Sequence, residues 1–516
     1  MSIKQMESRT EKSMRNAQIA FLYYCINLIL QFFSRKIFLD HLGTEVLGLN
    51  TTATNLLQFL NLAELGIGSA IACTLYKPLF DRDTNTINEI VSLQGWMYRR
   101  IAYFVGGGAV LLMGFFPWIF AKMPLPLWYA YASFGALLIS ALLSYFVNYR
   151  QIVLAADQKE YKITFSYKTA ILLKILAQIV TVKYSEHGYI WWCFMEVFFA
   201  FVASYVLNRT IKRSYPYLKT NISEGRKLRF KYPEILTKIK QLFFHKIAFF
   251  ALTQTSPVII YAYASLTFVA LYGNYMLIIT GVTALMTAIF NSMNAGIGNL
   301  VAQGDKQRIM AVFEELFSVR FLLSCVLCFL VYILTPAFVS LWLGKIYVMD
   351  NTVLILMVCT MFIGLTRTTV DAYLNAYGLF HDIWAPITET IINIGASILL
   401  GCFFGLNGIL TGVLISLIII VFCWKPYFLF RAGFKEKLRG YVWMYAKHIV
   451  VAIIACLPVH YLIAAGSEDL ASSVFALVGY GALYLTTYAA ILFILLYAVS
   501  KGMRDFTKRM THIIVK

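Results

Sequence analysis

The chain has 516 residues, of which 60% are hydrophobic and 13% charged, with a mean hydropathy of +0.71 and a formal net charge of +19. That balance excludes a soluble globular domain and marks a polytopic membrane protein. In such a chain the basic excess reports orientation in the bilayer and attraction to anionic lipid, so a nucleic-acid partner is set aside.

Fourteen runs are long enough to cross about 30 Å of hydrocarbon: residues 17–38, 46–76, 101–121, 127–149, 163–182, 189–208, 243–264, 269–300, 314–338, 352–378, 384–404, 407–424, 449–466 and 472–500. With the N-terminus inside, inner segments hold 34 of the 44 Lys and Arg, outer loops hold only Lys122, Lys183 and Lys345, and the rest lie within spans. The asymmetry predicts both termini in the cytoplasm. Lys4, Arg9, Lys12 and Arg15 precede an apolar run without a small-residue cleavage pattern, so that run reads as a first span. All nine cysteines fall in apolar segments, and Cys325 and Cys328, although in CxxC spacing, read as core packing.

Near the outer end of span one, Arg35 and Lys36 are adjacent, so they point about 100° apart on a helix and one of them faces inward. Span two carries Asn50, Thr54, Gln58, Asn61 and Glu64 on one helical face, ending at Leu65-Gly66-Ile67-Gly68, and Lys77-Pro78 reads as its end. Span four has a similar edge in Ser133, Ser140, Ser144, Asn148 and Gln151. Lys174 of span five lies near the bilayer midplane, either as a ligand-facing cation or as a buried charge paired with Glu196 of span six. Residues 209–242 form a basic cytoplasmic linker, read as lying on the lipid surface.

Span eight repeats span two. Thr280, Thr283, Thr287, Asn291 and Asn294 share one face, and Ala295-Gly296-Ile297-Gly298 follows as Leu65-Gly66-Ile67-Gly68 follows the first stripe. Span ten is the counterpart of span four, with Thr360, Arg367, Asp371 and Asn375 on one edge and Leu374-Asn375-Ala376 matching Leu154-Ala155-Ala156. Arg367 lies near the membrane centre one turn from Asp371, which leaves both a cavity cation and an internal ion pair open. Arg320 and Lys246 lie nearer inner ends, where they either snorkel or line the cavity. Repeated six-span halves predict an all-α transporter of about fourteen helices, with two lobes around a central cavity. The N-lobe covers residues 1–208, the C-lobe 243–430, and residues 431–516 add two further spans and a cytoplasmic tail.

Spans eleven and twelve contain Glu389-Thr-Ile-Ile-Asn393-Ile-Gly-Ala-Ser397, Gly405-Leu-Asn-Gly408, Gly412 and Ser416. With Leu42-Gly43, Gly48-Leu49-Asn50 and Gly66-Ile67-Gly68-Ser69-Ala70, this resembles the Wzx-type flippases, the polysaccharide-transporter branch of the multidrug, oligosaccharidyl-lipid and polysaccharide exporter superfamily. The resemblance implies a cationic cavity that accepts a polyprenyl-diphosphate-linked oligosaccharide and moves its headgroup outward across the bacterial inner membrane, for O-antigen or capsule synthesis. Lys174, Arg367, Arg35 and Lys36 would then face the diphosphate. Asn50, Thr54, Gln58, Asn61, Thr287, Asn291 and Asn294 would form the polar cavity stripes. Glu64, Asp371 and Glu389 are the candidates for proton or sodium coupling. Relatives often carry a Thr-Asp pair where this chain has Thr255-Ser256-Pro257.

The alternatives are a drug or ion antiporter of the same superfamily, a lipid II flippase, and a membrane glycan polymerase. The short outer loops and the seven scattered histidines give no triad or metal-ligand spacing, so neither catalysis, a metal nor a cofactor is expected. Expected partners are the lipid-linked substrate, membrane lipids and other polysaccharide-assembly proteins.

Overall fold

The computed structural model describes residues 9–64, 67–121, 123–157, 159–237, 239, 256–291, 294–379, 382, 384–465 and 470–514. Regular structure among them is helical throughout, the form a chain takes when the bilayer offers its backbone no hydrogen-bond partner. Nine of the described helices are long and apolar enough to cross a membrane by length and composition. Two pairs of the expected runs meet directly at a glycine kink, at Gly43 and at Gly405. The chain divides into two compact units, Met1–Ala270 and Leu271–Lys516. The expected start of the second lobe, at residue 243, lies outside the described residues, as does Lys246.

In unit 1, helix α1 (Arg9–Leu60) contains the first expected span and the start of the second, turning at Gly43, whose φ of 83° is a conformation glycine adopts without strain. The run 46–76 is not the single helix its hydropathy predicts. After α1, Asn61–Glu64 forms a 3-10 turn, and α2 (Ile67–Asp81) begins beyond it. The polar side chains of the turn, Asn61 and Glu64, are held by tyrosines of neighbouring helices. Pro78, expected to end the span, lies inside α2; near the helix end it sacrifices one backbone bond, to the Thr74 carbonyl.

Helices α3 (Thr84–Gly114), α4 (Trp128–Phe146), α5 (Thr169–Tyr184) and α6 (Gly188–Ser214) follow, with a short α7 (Gly225–Lys231). At about 1.5 Å per residue the 31 residues of α3 exceed the bilayer, so its first turns stand outside. That extension buries Ile87, Ile90, Val91 and Leu93, in one core with Leu228 and Ile235. The Asn221 N–H donates to Ser92 Oγ at 2.9 Å, the Lys219 N–H to Asn88 Oδ1 at 3.0 Å, and Lys231 Nζ lies 2.6 Å from Glu89. The basic segment is therefore docked on α3. Apolar residues spaced among its charges carry the docking, and a charge count hides them.

Helices α8 (Leu266–Asn291), α9 (Asn294–Gln303), α10 (Lys306–Trp342), α11 (Asn351–Ala376), α12 (Trp384–Ser416), α13 (Arg439–Ala465), α14 (Val474–Val499) and α15 (Lys501–Ile514) complete the chain. Residues 292–293, between α8 and α9, lie outside the described residues, and the second glycine motif, Ala295-Gly296-Ile297-Gly298, lies at the start of α9. The internal repeat extends to the backbone. Between α2 and α3, Arg82 has φ 56° and Asp83 caps the next helix by accepting from Thr86; between α9 and α10, Gly304 has φ 76° and Asp305 caps by accepting from Arg308. The Lys159 N–H bonds the Leu154 carbonyl at 2.8 Å, and the Leu379 N–H bonds Leu374 at 2.9 Å.

Gly405, at φ 55°, bends α12 between expected spans eleven and twelve. The core of unit 2 is aromatic: Phe313, Phe317 and Phe321 along α10 meet Tyr373, Phe434, Tyr441 and Tyr445. Helix α13 thus contributes directly to that core. Helix α15 is tied back to α10 by Ser500 Oγ to Ser318 Oγ at 2.8 Å and Arg509 to Glu315 at 2.8 Å.

Candidate functional site

In unit 1 the stripe of α1 is turned onto its own bundle. Asn50 Oδ1 accepts from Ser133 Oγ of α4, and Tyr189 OH of α6 lies 3.4 Å from the same oxygen while donating to the Tyr129 carbonyl at 2.9 Å. Thr54 bonds back to the Asn50 carbonyl at 2.8 Å. Gln58 is half-buried. Tyr145 OH donates to Asn61 Oδ1 at 2.9 Å and Tyr98 OH to Glu64 Oε1 at 2.8 Å, and the two tyrosine rings stand 5.7 Å apart. The interruption between α1 and α2 therefore places one carboxylate and one amide against two phenols. Ser133 belongs to a stripe visible in the sequence, whereas Tyr98, Tyr145 and Tyr189 carry no such signal, because tyrosine counts as apolar in a hydropathy pattern.

Lys174 Nζ is paired with Glu196 Oε1 at 2.8 Å, and Gln178 Nε2 donates to the other carboxylate oxygen at 3.2 Å. Both charged side chains are largely buried, so the pair is a neutral unit inside the helices. Half-buried Arg35 donates to the Ala270 carbonyl at 3.3 Å, and its neighbour Lys36 is exposed.

In unit 2, Arg367 Nε meets Asp371 Oδ2 at 2.8 Å, one helical turn apart. Glu389 is buried within electrostatic reach of Arg367, Lys425 and Asp371, and its Oε1 has no hydrogen-bond partner among the described residues. Lys425 pairs with Asp382 at 3.0 Å, and Trp424 Nε1 donates to the same carboxylate at 3.3 Å. The structure thus gathers Arg367, Asp371 and Glu389 from the sequence candidates and adds Lys425 and Asp382. Thr287 is exposed and bonds the Thr283 carbonyl at 2.9 Å. The side chains of Asn291 and Asn294 lie outside the described residues.

One residue departs from its expected setting. Arg320, placed near an inner end where it had the option of snorkelling, is 2% exposed and stacks over the Phe290 ring at 4.4 Å. Snorkelling needs a path to water, and the helices around α10 close that path. Among the described residues no three His, Cys, Asp or Glu side chains gather as a metal site would require.

Long apolar helices, internally paired charges and two compact helical units define a multi-pass α-helical membrane protein. No family model and no curated protein matches the sequence. Among solved structures the fold is similar to the lipid II flippase MurJ in an inward closed conformation, with a TM-score of 0.61 and 12% identity over 94% of this chain and 98% of that one. It is also similar to a multidrug resistance MATE family transporter of the MOP superfamily in an inward-facing conformation, with a TM-score of 0.57 and 12% identity over 81% of this chain and 99% of that one. At that identity the likeness is one of fold, and these neighbours are transporters and flippases rather than enzymes.

Proposed function

We propose that this protein flips a polyprenyl-diphosphate-linked oligosaccharide outward across the bacterial inner membrane, with both termini in the cytoplasm, to supply repeat units for a surface polysaccharide such as O-antigen or capsule. The observation that carries this reading is the extent of the fold match: 94% of the chain follows a flippase of a lipid-linked sugar, against 81% for the multidrug transporter. The charge inventory supports it, since planar guanidinium and ammonium groups held in low dielectric suit a diphosphate. In this reading Lys174 and Arg367 engage phosphate oxygens by exchanging them for Glu196 and Asp371. Arg35 and Lys36 assist, and the polar stripe residues contact sugar. Glu64, Asp371 and Glu389 couple the cycle to protons or sodium.

Drug or ion antiport is the second reading, favoured by the match to the multidrug transporter over 99% of that chain. Reconstitution separates the two. Proteoliposomes holding the full chain are expected to move a fluorescent polyprenyl-diphosphate oligosaccharide between leaflets and to leave a fluorescent organic cation in place. Transport of the cation alone overturns the flippase reading.

A further inference from the structure

The interior of unit 2 holds a set of polar atoms that the proposed function does not use. Arg320 is 2% exposed, and its Nε and Nη1 have no hydrogen-bond partner among the described residues. On α11, which packs along α10, Tyr373 is fully buried and Thr369, also fully buried, lies one turn away; neither hydroxyl has a hydrogen-bond partner among the described residues. Arg320 and Tyr373 lie within electrostatic reach of one another. Buried donors without partners are rare in folded proteins, and each one calls for a specific explanation.

Charge decides what kind of partner fits. The carboxylates that act on Arg320 or Tyr373 are Asp371 and Glu315. Asp371 already holds Arg367 at 2.8 Å, and Glu315 Oε2 lies 2.8 Å from exposed Arg509 in an ion pair without hydrogen-bond geometry. Phe290 offers the guanidinium a ring face at 4.4 Å, a cation–π contact that supplies neither a lone pair nor a negative charge. A water molecule would satisfy the N–H groups yet leave a buried cation uncompensated, and burying an unpaired charge is costly. An anion answers both needs.

We propose that Arg320 and Tyr373 form a binding site for a small monovalent inorganic anion of the halide class, with Thr369 as a neighbouring hydroxyl donor, inside the helices of unit 2. The guanidinium supplies two N–H donors and the charge, and the phenol supplies an O–H donor. Size follows from burial: Phe313 and Phe434 pack on the Tyr373 ring at 5.2 and 5.5 Å. A phosphate would bring several more lone pairs into these surroundings than the donors can satisfy. The site is separate from the proposed glycan chemistry and does not depend on it.

The test uses the purified full chain in detergent, with thermal unfolding followed as chloride or bromide replaces gluconate at constant ionic strength. The unfolding midpoint is expected to rise with either halide and to saturate. In Tyr373→Phe, which keeps the ring contacts, half-saturation should require at least tenfold more chloride; Arg320→Gln should abolish the halide response. Identical midpoints for the wild type in chloride and gluconate would overturn the proposal. If Arg320→Gln does not fold, anomalous scattering from wild-type crystals grown in bromide decides: a peak between Arg320 and Tyr373 supports the site, and no peak there overturns it.

Discussion

Replacing Lys174 by methionine removes one partner of a pair whose side chains are 15% and 7% exposed, and leaves Glu196 buried with only the Gln178 amide on its second oxygen. Breaking a buried pair in this way costs about 3–5 kcal/mol, because the remaining charge is stranded. Replacing both residues by methionine removes both charges and keeps their volume, and such exchanges are neutral or stabilising by about 1–4 kcal/mol. The assay is the thermal half-life of the purified protein in detergent, since large membrane proteins unfold irreversibly and their working stability is a rate. Lys174→Met should shorten the half-life sharply, and the double variant should restore it. Glycan transport then separates two roles. If Lys174 engages phosphate, the double variant is stable and inactive; if the pair only holds α5 to α6, the double variant is stable and active. A single variant as long-lived as the wild type, or a double variant no better than the single, would refute the reasoning.

The close crossing within α12 is expected to reject any side chain at Gly412, because a Cβ there would lie 2.3 Å from Ser397 N and 2.6 Å from its Cα, backbone atoms with nowhere to go. Gly412→Val should cost at least the roughly 1–3 kcal/mol of overpacking and lower the monodisperse yield in size-exclusion chromatography; a wild-type profile would show that the crossing is looser than described. The docked segment after α6 should release in acid. Partial burial pushes the Glu89 carboxyl up, but the bonds from Lys231 and Tyr232 outweigh it and leave the group below its ordinary 4.5. A depressed carboxylate stabilises the docked form above that ordinary value and loses its contribution as pH falls through the folded value. Lys231 is raised above 10.5, chiefly by its bond to Glu89, so its contribution is full below that value and declines only in strong alkali. Protease protection of residues 215–235 should therefore be flat across neutral pH and fall below 4.5, and Glu89→Gln should flatten the acid limb.

The spans were legible because a bilayer imposes length and apolarity on every crossing segment. The repeat was legible as well, since two glycine motifs 230 residues apart, at Gly66 and Gly296, share their order. Hydropathy averages over whole turns, so it hid the interruption at Asn61–Glu64. The stripe on α1 was visible while its tyrosine partners were not. For Lys174 and Arg367 the pattern offered two readings, and only coordinates choose the carboxylate each one holds. For Arg320 the pattern left snorkelling and the cavity wall open, and its burial could not be read from either. Its position along the helix suggested an exit to water, but burial depends on what packs around the helix, and Phe290 is distant in sequence.

The pairing of the cations has a consequence for any transport of an anionic headgroup. A free buried cation would hold a diphosphate tightly, and every 1.4 kcal/mol of excess affinity slows release about tenfold. Lys174 and Arg367 each hold a carboxylate at 2.8 Å, so a phosphate oxygen gains only the difference between two ion pairs, and that difference is small. Capture and release then lie close in free energy, as a flippase that must discharge its cargo requires. An antiporter gains from the same arrangement by another route, since protonating the carboxylate frees the cation. The flippase reading therefore predicts that neutralising Glu196 or Asp371, with the cations left in place, strengthens substrate binding and slows turnover. Substrate affinity and transport rate measured on Glu196→Gln and Asp371→Asn should move in opposite directions, and parallel loss of both would show that these carboxylates serve structure alone.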